Sequence, residues 1–186
     1  MISFTAAIIS TLCATAFASD TPTLDDLKNA LYTNQSYWNV MRSYERGIPG
    51  QPNRCVFSRM KYFEFNNYTY EQLYKYGSKF EMILLQCRLY NLNEGPEIGV
   101  VKHYGGKEYP YTLIHWNEKE HCCIFTFLYD ATGTKECRLQ IWEENIKEPR
   151  NPYPCEHEYD NLCRGKKKYD IYGPDCLSHP QKWQNA

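Results

Sequence analysis

Charge of one sign is what this sequence most plainly lacks: 21 Lys and Arg stand against 22 Asp and Glu, a net of -1, with a pI near 6.5. Neutralising a phosphate backbone takes a basic field, so nucleic acid is excluded as the expected partner. Long apolar runs are missing beyond residue 18, and a mean hydropathy of -0.66 excludes a chain that crosses a membrane repeatedly. Catalytic signatures are missing too: there is no G-x-S-x-G, no H-E-x-x-H, no glycine-rich phosphate loop and no dinucleotide fingerprint, and His157-Glu158 lacks a second histidine. The expectation is a protein that is not an enzyme. No C-x-x-C pair occurs, which deprives His121-Cys122-Cys123 and Cys155-Glu156-His157 of the usual zinc spacing and leaves no metal or cofactor to expect.

What is present fits a single soluble domain behind a targeting segment. The chain has 186 residues, 16% of them aromatic, and 17 are tyrosines. Tyrosine offers an apolar ring with a polar tip, which suits both ligand-lining surfaces and ordinary sheet faces. The opening stretch is uncharged and apolar and ends in Ala16-Phe17-Ala18, the small-x-small form that signal peptidase reads, although its start carries no Lys or Arg. Residues 1–18 are therefore expected to be a signal peptide and 19–186 one secreted, extracellular domain; a buried N-terminal helix is the alternative. Cleavage removes Cys13 and leaves eight cysteines, an even number that reads as disulfides with no free thiol. Sequons at Asn34-Gln35-Ser36 and Asn67-Tyr68-Thr69 make Asn34 and Asn67 candidate glycosylation sites.

The local pattern is all-β. Thr23, with Asp26 three residues on, caps a short helix through Tyr32. Aromatic and branched runs follow, broken by turn residues, and they read as eight strands: 37–45, 54–63, 69–76, 80–90, 97–104, 109–116, 122–129 and 136–143. Gly47-Ile48-Pro49-Gly50, Asn66-Asn67, Gly77-Ser78 and Asn93-Glu94-Gly95-Pro96 supply turns, and Gly105-Gly106 reads as a two-residue hairpin. Pro154–Cys163 reads as a second helix. Strands joined this way close into an antiparallel up-and-down barrel with room for one small ligand, or with a solidly filled interior. Alternation splits 122–129 into the sets Cys123, Phe125, Phe127 and Cys122, Ile124, Thr126; it splits 137–142 into Arg138, Gln140, Trp142 and Cys137, Leu139, Ile141. Composition alone leaves open which set faces in.

Cys122-Cys123-Ile124, Gln140-Ile141-Trp142 and Cys155 stand at the spacing of a signature Cys-Asp-[Val/Ile/Leu], Glu-Leu-[Trp/Tyr], Cys. With Tyr37, Tyr44 and the pair Cys55 and Cys176, these residues make the mature chain resemble the salivary lipocalins of ticks, the group that includes histamine-binding proteins. The resemblance implies a lipocalin barrel with the second helix laid outside it, tied by Cys122–Cys155, and a tail tied back by Cys55–Cys176. It turns Phe125, Phe127, Arg138, Gln140 and Trp142 inward. Pairing of Cys87, Cys123, Cys137 and Cys163 stays open.

The signature's Asp and Glu, which hold an amine cation in relatives, are Cys123 and Gln140 here, and a third acidic position is Leu113. Glu81 is one acid that matches. Tyr44, Tyr111 and His103 match lining positions. The implied pocket is aromatic and nearly neutral, with Arg138 as its cation. The family implies sequestration of a mediator of host inflammation or haemostasis: a biogenic amine such as histamine or serotonin, or an eicosanoid or fatty acid, which this lining favours. The alternative is a complement-type inhibitor that binds a host protein through loops 47–53 and 145–154. The run Arg164-Gly165-Lys166-Lys167-Lys168 reads as a solvated loop before it reads as a polyanion site. A monomer is expected.

Overall fold

The computed structural model describes residues 21–92, 94–102, 106–146 and 152–177; the expected signal segment, His103 and part of the 145–154 loop lie outside them. Thr23 caps helix α1 (Leu24–Leu31) as expected, its hydroxyl accepting from the Asp26 amide at 3.2 Å while its own amide donates to the Asp26 carboxylate at 2.8 Å. Leu27, Ala30 and Leu31 turn into the interior. The orphan carbonyls at the helix end find side-chain donors: Ala30 O accepts from Trp142 Nε1 at 3.0 Å, and Leu31 O from the Tyr68 hydroxyl at 3.1 Å. Thus α1 plugs one end of the molecule.

The strands are β1 (Tyr37–Arg42), a small hairpin of β2 (Gly47–Ile48) and β3 (Gln51–Pro52), then β4 (Arg54–Glu64), β5 (Asn67–Tyr76), β6 (Lys79–Leu92), β7 (Gly95–Val101), β8 (Glu108–Asn117), β9 (Cys122–Tyr129) and β10 (Thr134–Trp142). Each long strand pairs antiparallel with the next, and β10 returns to β1, so β1 and β4 to β10 close an eight-stranded lipocalin-like barrel. Three expectations about turns and strand ends are corrected. Val101 pairs with Glu108, so the connection spans 102–107 rather than a two-residue turn at Gly105-Gly106. Glu64 pairs with Asn67, which moves that turn to Phe65-Asn66. The first strand stops at Arg42, where the chain leaves for the β2–β3 hairpin.

Two cores result. One fills the barrel's closed end, with Leu27, Leu31, Tyr68, Leu89, Leu113 and Phe125. The other lies outside the wall, where Trp38, Phe57, Ile124, Leu139 and Ile141 pack under helix α2 (Glu156–Leu162) and the tail. A seven-residue helix is too short to persist unaided. Here bridges at both its ends hold it, Cys122–Cys155 to β9 and Cys137–Cys163 to β10. Two of the four charges in the basic run that follows are paired, Lys166 with Glu136 and Lys168 with Glu156 and Asp160.

The tail enters the wall itself. β1 pairs with β4 only over Tyr37–Asn39. Beyond that point Met41 and Arg42 pair with the two residues of β11 (Tyr169–Asp170), and Ile171 donates to Val40 O at 3.1 Å while accepting from the Cys55 amide at 2.8 Å. Cys55–Cys176 locks this insertion across a sequence separation of 121.

Candidate functional site

Inward positions of the strands converge below the barrel's open end on one narrow cavity. Asn39 and Arg42 come from β1, Val56 from β4, Tyr70, Gln72 and Tyr74 from β5, Leu85 from β6, Val100 from β7, Tyr111 from β8 and Arg138 from β10. Tyr44, Arg46, Asn53 and Lys102 complete it at the mouth, and Ile171 of the inserted tail closes the side. Arg42 reaches this face through a bulge: Asn39 pairs with Gln140, the register then slips by one residue, and Arg42 arrives opposite Arg138.

The cavity is small, about 30 Å³. It shares Arg46, Lys102 and Tyr111 with an adjoining depression of about 270 Å³ lined further by Tyr109, Phe127, Tyr129 and Asp130, whose carboxylate is paired with Lys107 at 3.0 Å. Together they approach the lower end of the roughly 300–1,000 Å³ usual for small-molecule sites.

Its charge is one-sided. Arg42, Arg46, Lys102 and Arg138 line the cavity, and among the described residues no carboxylate does. The lining is therefore basic, not nearly neutral as the sequence implies. Arg138 is 6% exposed, its guanidinium lies 4.2 Å from the Tyr111 ring centre and 5.1 Å from that of Phe125, and its Nε has no hydrogen-bond partner. Arg42 donates Nη2 to Arg46 O at 3.1 Å and Asn53 O at 3.0 Å, and its Nε is likewise unpartnered. Burial, and then neighbouring Arg46, hold both Arg42 and Lys102 below their ordinary values. Cations stripped of water without a counter-ion are costly, and they favour any anion that enters.

The other expected residues separate by depth. Tyr44 and Tyr111 line the cavity, and both lie against Phe127, at 5.0 and 4.6 Å between ring centres. Phe125 is fully buried beneath Arg138, and Gln140 lies below the cavity, donating to Asn39 Oδ1 at 2.9 Å. Glu81 is outside the lining: it sits exposed at the rim, where the hydroxyls of Tyr74 and Tyr76 donate to it at 2.6 and 2.9 Å and lower its pKa. Trp142 is at the opposite, closed end. There its ring stacks on His121 at 4.1 Å beside Trp116 at 5.9 Å, and with Tyr32 and Glu118 they border a second depression of about 180 Å³. Among residues that sequence reasoning passed over, Arg42 was within reach, because alternation counted back from Tyr44 puts it on the inner face.

Cys55–Cys176 and Cys122–Cys155 pair as the resemblance implies, and Cys137–Cys163 is the third bridge. The expectation of no free thiol is overturned: Cys87 and Cys123 are unpaired and buried. Both point into the barrel, from β6 and β9, with β7 and β8 between them, whereas every bridge formed lies on the outer side. Burial raises both thiols, that of Cys123 to about 12. The metal-like clusters among the described residues each include a cysteine already held in a bridge.

A β-barrel plugged at one end and lined with polar groups at the other is the frame of a small-molecule binding protein. The chain belongs to the tick histamine-binding protein family, whose model matches residues 18–178. Among solved structures it is similar to Japanin from Rhipicephalus appendiculatus bound to cholesterol, with a TM-score of 0.55 and 13% identity over 77% of this chain and 96% of that one. It is also similar to AM182 in complex with serotonin, with a TM-score of 0.55 and 11% identity over 77% of this chain and 85% of that one. At these identities the likeness is one of fold. No curated protein sequence matches the chain.

Proposed function

We propose that this protein is a secreted, monomeric carrier that sequesters an amphipath with an anionic head, of the fatty-acid or eicosanoid class. One observation carries the reading: Arg42 and Arg138 stand side by side on the inner face of the barrel, nearly sealed, in a cavity with no carboxylate among its described lining residues. A carboxylate placed between them gains charge-assisted hydrogen bonds and removes the penalty of two unpaired cations. The ligand's chain lies along Tyr111, Phe127 and Tyr44 toward the mouth, where each buried methylene adds about 0.8 kcal/mol. Because the cavity itself is narrow, the Tyr44 and Phe127 rings swing aside on entry. A sequestering protein works one for one, so nanomolar affinity, about -12 kcal/mol, is the standard to meet.

Calorimetry of the purified protein against arachidonate, a leukotriene, histamine and serotonin tests this. Tight lipid binding that weakens on loss of Arg138 is the expected result. Nanomolar histamine binding, or lipid binding indifferent to both arginines, would overturn it.

A second reading is favoured by the closed end. An amine cation finds aromatic faces in Trp116, Trp142 and His121 and a carboxylate in Glu118, while Glu144, outside the lining, lies 2.8 Å from His121 Nδ1. An amine bound there quenches tryptophan fluorescence and leaves lipid binding at the mouth unchanged.

A further inference from the structure

The hairpin joining β4 to β5 displays an apolar surface that the protein itself does not cover. Phe65 is 84% exposed and holds a φ of +54°, a left-handed conformation that a bulky residue seldom adopts. Tyr62 is 52% exposed on the outer face of the same hairpin, directly across from Thr69 in the strand register. Asn67 pairs with Glu64, one step nearer the turn and two residues past Phe65. Asn67 and Thr69 are the first and third residues of an Asn-Tyr-Thr sequon, and the intervening Tyr68 points inward, 1% exposed. Alternation therefore sends the sequon's asparagine and threonine outward together, on the hairpin that carries the two exposed rings.

We propose that Asn67 carries an N-linked glycan whose first N-acetylhexosamine lies on the rings of Tyr62 and Phe65. A pyranose presents a face of C–H bonds, and the negative face of an aromatic ring is its natural complement. In the transfer step Asn67 Nδ2 bonds to the anomeric carbon of a lipid-diphosphate-linked oligosaccharide. The bond from that carbon to the diphosphate oxygen breaks, its electron pair leaves with the lipid diphosphate, and one amide proton is released to the transferase. The site lies at the α1 end of the barrel, where Phe63 meets Tyr32 at 5.6 Å between ring centres. A glycan there leaves the cavity mouth free. The inference rests on passage through the secretory route and is independent of which ligand the cavity holds.

Expression in glycosylating insect cells, intact mass, and melting before and after peptide N-glycosidase treatment test it. Expected are a glycan mass that Asn67→Gln removes and a fall of roughly 2–4 °C in Tm on deglycosylation. In the double variant Tyr62→Ala, Phe65→Ala that fall disappears. Phe65→Gly relieves the left-handed strain and serves as a folded control, in which deglycosylation lowers Tm by less than in the native chain. A chain cleaved after Ala18 but bare at Asn67, or the same Tm change with and without the rings, overturns the proposal. Retention of residues 1–18 overturns the secretory reading and this one with it.

Discussion

Arg42 and Arg138 stand directly opposite each other across the β1–β10 seam that closes the barrel, 3% and 6% exposed. Like charges placed so in a sheet oppose folding. Yet Tyr111 and Phe125 hold the Arg138 guanidinium in place from beneath. Burial works against the Arg138 cation, but Tyr111, Tyr70, Tyr44 and Tyr37 outweigh it and hold its pKa above the ordinary value, so the guanidinium stays charged in its sealed position.

It follows that Arg138→Met should weaken binding of a fatty acid or eicosanoid by roughly 2–5 kcal/mol while leaving the ligand-free protein as stable as before, or more so. Calorimetry and thermal melting on the same sample check both halves. A residue that merely supported the fold would lower stability as well.

Removing the lock on the tail should be costly in two ways. Replacing both Cys55 and Cys176 by serine forfeits about 5 kcal/mol of chain-entropy stabilisation for a loop of this length. It also loosens Ile171, so ligand affinity should drop further than in a variant lacking Cys137–Cys163, whose loss leaves the cavity wall untouched. Guanidinium denaturation and ligand titration of the two variants give the comparison.

Two thiols should be found in the mature chain, both silent until it unfolds. Alkylation without reductant should add nothing to the native protein and two labels in guanidinium, because Cys87 and Cys123 are buried and their thiols raised by that burial. Rapid labelling of the native state would place one of them outside the barrel.

Acid should destabilise the protein in part through His115. Burial lowers its pKa from the ordinary 6.5, against the opposing pull of Glu158 and Glu120. The unfolded chain therefore takes up a proton first as pH falls. The His115 contribution is fully present above pH 6.5 and is lost as pH drops toward the depressed folded value. In His115→Gln the fall in stability from pH 7 to 5 should be shallower, as read from denaturation midpoints at each pH.

The barrel was legible because turn chemistry and alternation agree strand by strand; Cys122–Tyr129 has the same limits in the structure as in the pattern. Alternation separated the two faces of each strand but did not choose between them; the resemblance turned Phe125 and Arg138 inward and put Tyr111 on the lining, and the structure has all three on the inner side. Alternation failed at irregularities. The slip between Asn39 and Met41 lets Val40 and Met41 both face the outer core and brings Arg42 inward, so that alternation counted forward from Tyr37 misplaces Arg42 and only the count back from Tyr44 finds it. The two-residue β11 carries too little pattern to betray that it pairs with β1. Counting cysteines misled because Cys87 and Cys123, though both face inward, stand on β6 and β9 with β7 and β8 between them, and an even total says nothing of distance.

The insertion of the tail also sets a schedule. Synthesis runs from the amino end, so every long strand exists before residues 169–176 are made, and until then the gap between β1 and β4 above Asn39 has nothing to fill it. Contacts this distant in sequence are slow to form. Cys55 must wait as a thiol while Cys122, Cys137, Cys155 and Cys163 emerge as competitors, and an oxidase acting too early would trap it with the wrong one. The last bridge to close is therefore also the one that fixes Ile171 in the cavity wall.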